Sequence, residues 1–248
     1  MKSKILCFIP ALPSEISLST IRSIADQTTS VSAICILTKI APKTLPFPAK
    51  ISYVVNEWLK TVRLECFDYL LRVDADTVLP VNFIEVNLVG YPDVVGYGPA
   101  QLIKVSSFLK FMGGRFHPDH DDGYVIFKFK ALGLNVKTIY TVQPMINRVS
   151  GKHRGCGWHV DQGVLHYRYG YDILYEHLIV LGKWGQYHPY GLFFLVGYWK
   201  ALFSRKVLFD VGVLFRYKLL MNYRYPKRLL KFFKSDKYKV RLVRLIHG

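Results

Sequence analysis

The sequence predicts an α/β protein whose first part alternates strands with helices. Short apolar runs at residues 4–10, 31–37 and 69–73 are typical of buried strands. Between the first two runs, residues 18–27 carry apolar side chains at positions 18, 21, 24 and 25, the spacing of a one-sided helix. Strands that alternate with helices indicate a mainly parallel sheet covered by helices.

Composition divides the chain into two regions. The 248 residues are 51% hydrophobic and carry a net charge of +17, enough chain to bury a full core. Residues 200–248 hold fourteen Lys or Arg against two aspartates, interleaved with aromatic residues. We therefore expect a first domain over residues 1–170 and a helical, aromatic and basic region over 171–248.

Cysteine spacing and the N-terminus predict a cytoplasmic protein. The four cysteines show no Cys-x-x-Cys spacing, which favours reduced core thiols over disulfides or a zinc site. The first residues lead directly into a strand without a signal peptide. The most apolar window, residues 189–203, is shorter than the ~20 residues that cross a bilayer.

The elements of the first domain follow from the pattern in order. Ser17 is the expected N-cap of the helix over 18–27. A loop is expected over the proline-rich residues 41–48, a third strand over 51–55, and a helix over 58–66. The fourth strand, over 69–73, leads into two carboxylates.

Asp74 and Asp76 are the first candidate site residues. Residues i and i+2 of an extended chain point to the same side, so the two carboxylates can converge on one ligand. A divalent cation that also holds phosphate oxygens would relieve their repulsion. The alternative is a structural Asp-rich turn. Because ligands bind beyond the carboxyl ends of parallel strands, where Pro10 and Thr38 also fall, the pattern favours a ligand site.

Five motifs stand in a characteristic order within residues 4–140. They are a Ser-x-x-x-Gln-Thr helix, the Asp-x-Asp strand end, a strand before a Gly-Gly-x-Phe turn, an acidic pair, and a later glycine. Their positions are 23–28, 74–76, 113–116, Asp121 with Asp122, and Gly133. This series resembles the family 2 glycosyltransferases of the type A (GT-A) fold. The resemblance implies a Rossmann-like mixed, mainly parallel sheet flanked by helices.

The same resemblance implies an activity and assigns roles. Such enzymes move a sugar from a nucleotide-sugar donor to a hydroxyl acceptor with the help of Mn²⁺ or Mg²⁺. By position, Asp76 would bind the metal directly, and Asp74 would contact the ribose, the donor sugar or the metal through water. Asp122 would be the general base of an inverting displacement, and Asp121 takes the position of the family's usual Glu. The alternative for the pair is an acidic helix start that complements the helix dipole.

A histidine and a loop from the C-terminal part complete the expected site. GT-A enzymes often add a histidine to the metal shell, and His166, after a short apolar run that suggests a strand end, is preferred to His159. An ordinary surface histidine is the alternative. The loop 151–157, with Lys152, His153 and Arg154 among glycines, could close over phosphates or be an ordinary basic loop.

One departure from the family pattern concerns the nucleotide. Family members commonly end the second strand in acidic residues that hold the base, whereas this strand leads into Thr38 and Lys39. We therefore expect Thr38 or Lys39 to contact the nucleotide instead.

The basic aromatic region predicts a partner surface. For a glycosyltransferase it suggests a peripheral membrane platform on an anionic, cytoplasmic-face surface, presenting the site to a lipid-linked or glycan acceptor. A helical cap with a solvated basic face is the structural alternative. A nucleic-acid-binding module would explain the charge but not the ordered acids. A noncatalytic glycosyltransferase-like scaffold would explain the missing acid of the second strand.

Overall fold

The structure is a computed structural model of the chain, and it divides into two compact units, residues 1–150 and 151–248. It describes residues 3–11, 15–45, 47–96, 98–118, 122–146, 155–171, 177, 180, 190–206 and 208–209. The predicted division into a catalytic domain over 1–170 and a C-terminal region over 171–248 stays a prediction about function.

The first unit alternates strands with helices. Its strands are β1 (Ile5–Pro10), β2 (Ala33–Leu37), β3 (Tyr69–Val73), β4 (Thr77–Val78), β5 (Val94–Val95), β6 (Ala100–Lys104), β7 (Val136–Lys137) and β8 (Met145–Ile146). Its helices are α1 (Leu18–Ala25), α2 (Phe47–Leu59), α3 (Phe83–Asn87), α4 (Val105–Met112) and α5 (Asp122–Ala131), with a 3₁₀ turn at Leu64–Cys66.

Six of these strands form one mixed sheet in the order β2-β1-β3-β6-β5-β7. Strand β1 pairs in parallel with both β2 and β3, and β5 pairs in parallel with β7. Strand β6 runs antiparallel to both of its neighbours, β3 and β5. The predicted α/β class, with a mixed, mainly parallel sheet flanked by helices, is confirmed.

The sheet is buried on both faces, which explains its continuous apolar strands. On one face, Leu6, Phe8 and Leu70 pack with residues of α2, α4 and α5. On the other face, Cys7 and Leu71 pack with residues of α1 and α3. Alternate residues of each central strand therefore enter different cores.

The predicted third strand over residues 51–55 is wrong, because these residues lie within α2. Their β-branched content favours a strand, but the apolar positions 51, 54, 55, 58 and 59 follow helical spacing. Val55 and Leu59 accordingly enter the core on one side of the helix. The predicted helix over 58–66 is replaced by the end of α2 and the 3₁₀ turn.

Three other predicted strands and the predicted N-cap of α1 agree in position with the structure. The predicted first and fourth strands are confirmed as β1 and β3. Strand β2 is also confirmed, but as an edge strand that is only partly buried rather than a buried one. Ser17 is the N-cap of α1, although its hydroxyl bonds Ser19 Oγ at 2.6 Å rather than a helix N–H.

The segment before α5 and the end of that helix match the predicted pattern. Strand β6 leads through α4 to Gly113 and Gly114, both left-handed, with φ of 64° and 70°. Helix α5 begins at Asp122 and is followed by Gly133 with φ of 76°. Glycine adopts this conformation at little steric cost, which is why it ends helices so often.

The described part of the second unit contains α6 (Cys156–Arg168) and α7 (Tyr190–Phe203), and α7 lies in the region predicted to be helical. The two helices pack closely through glycines. A Cβ on Gly163 would lie 1.9 Å from the carbonyl oxygen of Phe194, and one on Gly197 would lie 1.9 Å from that of Val160. Beyond residue 206 the structure describes only 208 and 209, so the rest of the predicted helical region lies outside the described residues. No helix among the described residues is long and apolar enough to cross a membrane.

The described structure also bears on the cysteines. All four thiols are free, as predicted, but only Cys7 is a fully buried core thiol. Burial raises the pKa of the Cys7 thiol far above its ordinary value, so this thiol stays protonated. Cys66 and Cys156 are exposed.

Candidate functional site

Asp74 and Asp76 follow the carboxyl end of β3, as predicted, but the backbone there forms a turn instead of the extended chain on which their convergence was predicted. Backbone hydrogen bonds fix the turn. Asp74 N–H donates to the backbone carbonyl of Pro99 at 2.8 Å, and Thr77 N–H donates to the backbone carbonyl of Asp74 at 3.1 Å. Both carboxylates are partly exposed at this edge of the sheet. They are therefore accessible to a ligand that approaches the edge.

Helix α1 holds the backbone on both sides of Asp76. Thr20 Oγ1 donates to the carbonyl of Ala75 at 2.9 Å, and Leu79 N–H donates to Ser23 Oγ at 3.0 Å. Gln27 donates to the carbonyl of Pro80 at 2.7 Å and accepts from Ile84 N–H at 3.1 Å. The Ser-x-x-x-Gln motif thus acts on the segment that carries the Asp-x-Asp, which gives the pairing of the two motifs a physical reason.

A buried arginine, Arg72, lies beside Asp74. Its Nη2 is 3.1 Å from Asp74 Oδ1, and its Nη1 donates to the carbonyl of Gly98 at 2.7 Å. Arg72 and Asp74 are two residues apart along the strand, so they share one side of it. The repulsion expected between the two aspartates is therefore already reduced by a guanidinium of the protein, at least for Asp74.

Asp122 is joined to the same network through Gly98. Its Oδ2 accepts from Gly98 N–H at 2.5 Å, and its Oδ1 accepts from Gly123 N–H at 2.7 Å. Gln101 lies opposite Arg72 in the β3–β6 pairing and donates to the carbonyl of Asp122 at 3.0 Å. A continuous chain of contacts, Asp74–Arg72–Gly98–Asp122, therefore brings the two predicted acidic groups together.

Sequence reasoning missed three residues of this network of contacts: Arg72, Gly98 and Gln101. Arg72 had a usable signal, because a charged residue inside a continuous apolar strand must find a partner when buried. Gly98, with φ of 75°, and Gln101 gave none, because their roles depend on the pairing of β3 with β6.

The residues predicted for the nucleotide lie at the ends of β1 and β2. Pro10 pairs with Leu37 at the carboxyl end of both strands, and Thr38 follows as an exposed residue. Lys39 Nζ lies 3.7 Å from Glu57 Oε2 and 5.8 Å from the centre of the Tyr53 ring, so this side chain contacts α2.

The histidines predicted for the metal lie on α6 of the second unit. The strand end expected before His166 is wrong, since that residue is in the last turn of the helix. Its ring stacks on Tyr171 and meets Phe194 edge to face, each at 4.8 Å between ring centres. His159 is buried, and burial lowers the pKa of its imidazole. Asp121 and the loop residues Lys152, His153 and Arg154 lie outside the described residues.

Asp74 and Asp76 could hold a metal ion at this edge of the sheet. Within the described residues no group of three or more His, Cys, Asp or Glu side chains is arranged to hold a metal ion. Two carboxylates suit a hard cation such as Mg²⁺ or Mn²⁺ when ligand oxygens complete the coordination.

Comparison with solved structures finds likenesses at low sequence identity, among them the two that follow. No protein-family model matches the sequence, and no curated protein matches it. The mannosyltransferase PcManGT from Pyrobaculum calidifontis, solved with GDP-Man and Mn²⁺, has a TM-score of 0.49 at 12% identity, covering 100% of this chain and 88% of its own. A197 from STIV has a TM-score of 0.38 at 16% identity, covering 58% of this chain and 85% of its own.

Proposed function

We propose that this protein is a nucleotide-sugar-dependent glycosyltransferase of the GT-A type. The observation that carries the proposal is the chain of contacts Asp74–Arg72–Gly98–Asp122 at the carboxyl edge of a mixed α/β sheet. It joins Asp74 and Asp122, the acids proposed for the donor and for the acceptor, in one network of polar contacts. The assignment to family 2 is part of the proposal and is supported by the order of the five sequence motifs.

On the leaving-group side, Asp76 is proposed to hold a divalent cation, Mn²⁺ or Mg²⁺, and Asp74 to contact the ribose or donor sugar. When bound, such a cation neutralises charge that develops on the departing diphosphate. The described residues support this through the exposed carboxylates and the α1 contacts that fix their backbone. Arg72 holds Asp74 in one orientation, since its guanidinium also bonds Gly98.

On the acceptor side, Asp122 is proposed as the general base, with Asp121 beside it. The acceptor hydroxyl oxygen forms a bond to the anomeric carbon while its proton passes to an Asp122 oxygen. The bond from that carbon to the diphosphate breaks, and its electron pair leaves with the diphosphate. Attack from the opposite face inverts the anomeric carbon. The two N–H groups of Gly98 and Gly123 orient the carboxylate.

The nucleotide is proposed to lie over Pro10 and Thr38, where β1 and β2 end side by side. Lys39 remains a proposed contact, although it would have to leave Glu57 to reach the ligand. His166 is proposed as the additional metal ligand from the second unit. Its His166→Gln variant would lower metal affinity if the ring binds metal, and would change only stability if the Tyr171 stack is its whole role.

A membrane surface is the proposed setting for the acceptor, with the protein peripheral on the cytoplasmic face. Helix α7 packs Gly197, Tyr198 and Ala201 inward. On its other side Leu192 is 51% exposed and Val196 is 55% exposed. These two residues lie four apart, so an apolar stripe faces away from the packed side. Lys200, Arg205 and Lys206 are exposed near its end, which suits an anionic surface.

The membrane proposal is tested by sedimentation with vesicles of phosphatidylserine and phosphatidylcholine. We expect Leu192→Ser with Val196→Ser to reduce binding, while Val81→Ser with Val89→Ser, which removes exposed apolar residues of the first unit, leaves it unchanged. Equal binding by all three proteins would contradict a role for α7. Deleting residues 210–248 separately measures the contribution of the basic segment.

Glycosyl transfer itself is tested with a panel of nucleotide sugars, first by thermal stabilisation with and without Mn²⁺. A ligand that binds only the native state raises its apparent stability. A nucleic-acid-binding module would instead be stabilised by oligonucleotides and not by nucleotide sugars. A noncatalytic scaffold would bind a donor without releasing the nucleoside diphosphate. Release of that product by the wild type, and its loss in Asp122→Asn, supports the proposal.

A further inference from the structure

A groove of about 520 Å³ lies within the first unit between α2 and α5, on the sheet face opposite α1. Helix α2 lines one wall with Tyr53, Asn56 and Lys60, and helix α5 lines the other with Tyr124 and Lys128. No residue of the Asp74–Arg72–Gly98–Asp122 chain lines it. It is therefore a separate cavity that shares only helix α5 with the proposed base.

The groove has a rigid floor. Phe116 is buried and packs on Phe8 and Phe108, with ring centres 6.0 and 4.9 Å away. Its backbone is clamped to α2 by two reciprocal bonds, Asn56 Nδ2–H to the Phe116 carbonyl at 2.9 Å and Phe116 N–H to Asn56 Oδ1 at 2.8 Å. The next residue, His117, packs on Tyr124 at 4.3 Å between ring centres. The floor and both walls are thus preformed, a condition for binding without a large ordering cost.

Among the described residues that line the groove, positive charge dominates. Lys60, Arg115 and Lys128 are three cations, and Glu57 is the acid of this described set. Glu57 is already paired with Lys60 and Lys39, and the hydrogen bond from Lys60 followed by the charges of both lysines lowers the pKa of its carboxyl. No described residue pairs with the guanidinium of Arg115. The groove therefore offers at least one uncompensated guanidinium to an anion.

The groove has a defined position relative to the proposed base. Asp122 begins α5, and Lys128 is six residues further along, about 9 Å down the helix axis. The Arg115 to Pro118 segment leads toward the same helix start. A ligand in the groove could therefore belong to the same molecule as a hydroxyl that approaches Asp122.

We propose that this groove binds an anionic group of the acceptor, a phosphate or carboxylate on a sugar, and so selects charged acceptors. The proposal rests on the proposed glycosyl transfer for its biological meaning, but binding itself needs neither donor nor metal. Arg115 makes bidentate contact with the anion, and Lys128 supplies a second charge from the facing wall.

Isothermal titration of the full chain with glucose 6-phosphate, glucuronic acid and uncharged glucose tests the proposal at low salt. We expect at least one charged sugar to bind more tightly than glucose, and the stronger of the two identifies phosphate or carboxylate as the preferred group. Arg115→Ala with Lys128→Met should weaken that binding roughly tenfold or more, because two charge-assisted contacts are lost. Arg22→Ala, which removes an exposed cation from α1, is the matched control.

Equal binding of glucose and both charged sugars, or an equal loss in Arg22→Ala, would overturn the groove as the site. Thermal unfolding of each variant shows whether it is folded, and Arg115→Ala alone serves if the double variant is not. If binding behaves as expected but Asp122→Asn transfers sugar normally, the groove is supported as an anion site and the assignment of Asp122 as the base is contradicted. If Asp122→Asn is inactive and no charged sugar binds, only the groove as an anion site is contradicted.

Discussion

Arg72 Nη2 lies 3.1 Å from Asp74 Oδ1, and the same guanidinium bonds the Gly98 carbonyl, whose residue in turn donates its N–H to Asp122. A single buried side chain thereby connects the first acid of the Asp-x-Asp to the first residue of α5. The planar guanidinium makes both contacts at once, one from each terminal nitrogen. Arg72 is therefore a positioning residue for both halves of the proposed site.

Replacing Arg72 with lysine tests this positioning role. We expect Arg72→Lys to lose one of the two contacts and to destabilise the fold by about 1 to 3 kcal/mol, measured by urea unfolding. Donor affinity and turnover should both fall, since Asp74 and the Gly98 loop are released together. Arg63→Lys, at an exposed position, is the control. Normal kinetics in Arg72→Lys would contradict a positioning role.

Substitutions of the two proposed acids, Asp76 and Asp122, should impair activity in different ways. Asp76→Asn should weaken metal binding, so that its activity recovers in part at high Mn²⁺, whereas Asp122→Asn should lose turnover that no metal concentration restores. A missing general base costs about 10² to 10⁴ in rate. Asp26→Asn, at the exposed C-cap of α1, should behave as wild type. Full activity in both Asp76→Asn and Asp122→Asn would refute the catalytic assignment.

Gln27, two residues beyond the end of α1, is expected to support the proposed metal site. Gln27→Ala removes the bonds to the Pro80 carbonyl and Ile84 N–H, which we expect to cost about 1 to 3 kcal/mol of stability. Because these bonds fix the segment after Asp76, Mn²⁺ affinity should also fall, a change that titration calorimetry can measure. Gln143→Ala, at an exposed position, controls for loss of an amide. An unchanged Mn²⁺ affinity would limit Gln27 to stability alone.

The close contact of α6 with α7 predicts a steric effect. Gly163→Ala places its new carbon 1.9 Å from a backbone oxygen, so the helices must separate, at a cost of roughly 1 to 3 kcal/mol or more. At Gly157, also in α6, a new Cβ meets nothing within 4 Å, and Gly157→Ala should stabilise the helix by up to about 1 kcal/mol. Thermal unfolding that ranks the two variants in the opposite order would contradict this packing.

Burial of His159 predicts a pH dependence of stability. Because burial lowers the pKa of the native imidazole, the unfolded chain, whose histidines titrate near about 6.5, binds more protons as pH falls. The His159 contribution is therefore complete above that pH and is lost as pH falls toward the native pKa. Urea unfolding between about pH 7 and 5 should show a smaller loss in His159→Phe than in wild type, with His177→Phe as the control. Identical slopes in all three proteins would exclude this effect.

Sequence patterns predicted much of the first unit because its strands are continuous apolar runs with distinct ends. The patterns for β1, β3 and α1 reflect burial on both faces of a sheet or on one face of a helix, and such burial is visible in a single chain segment. The predicted strand over residues 51–55 is wrong because a short β-branched segment supports either a strand or a helix locally. The helix is favoured there by its core contacts, including those of Val55.

What the sequence by itself determined is the α/β class, the place of Asp74 and Asp76 at a strand end, and the start of α5 at Asp122. What only the tertiary structure decided is the pairing of β3 with β6, which puts Gln101 opposite Arg72 and brings Gly98 within reach of both Arg72 and Asp122. Gln101 lies 29 positions from Arg72 in the sequence, and Gly98 lies 26 positions from Arg72 and 24 from Asp122. No local pattern encodes such a contact, because its partners meet only once the sheet has formed.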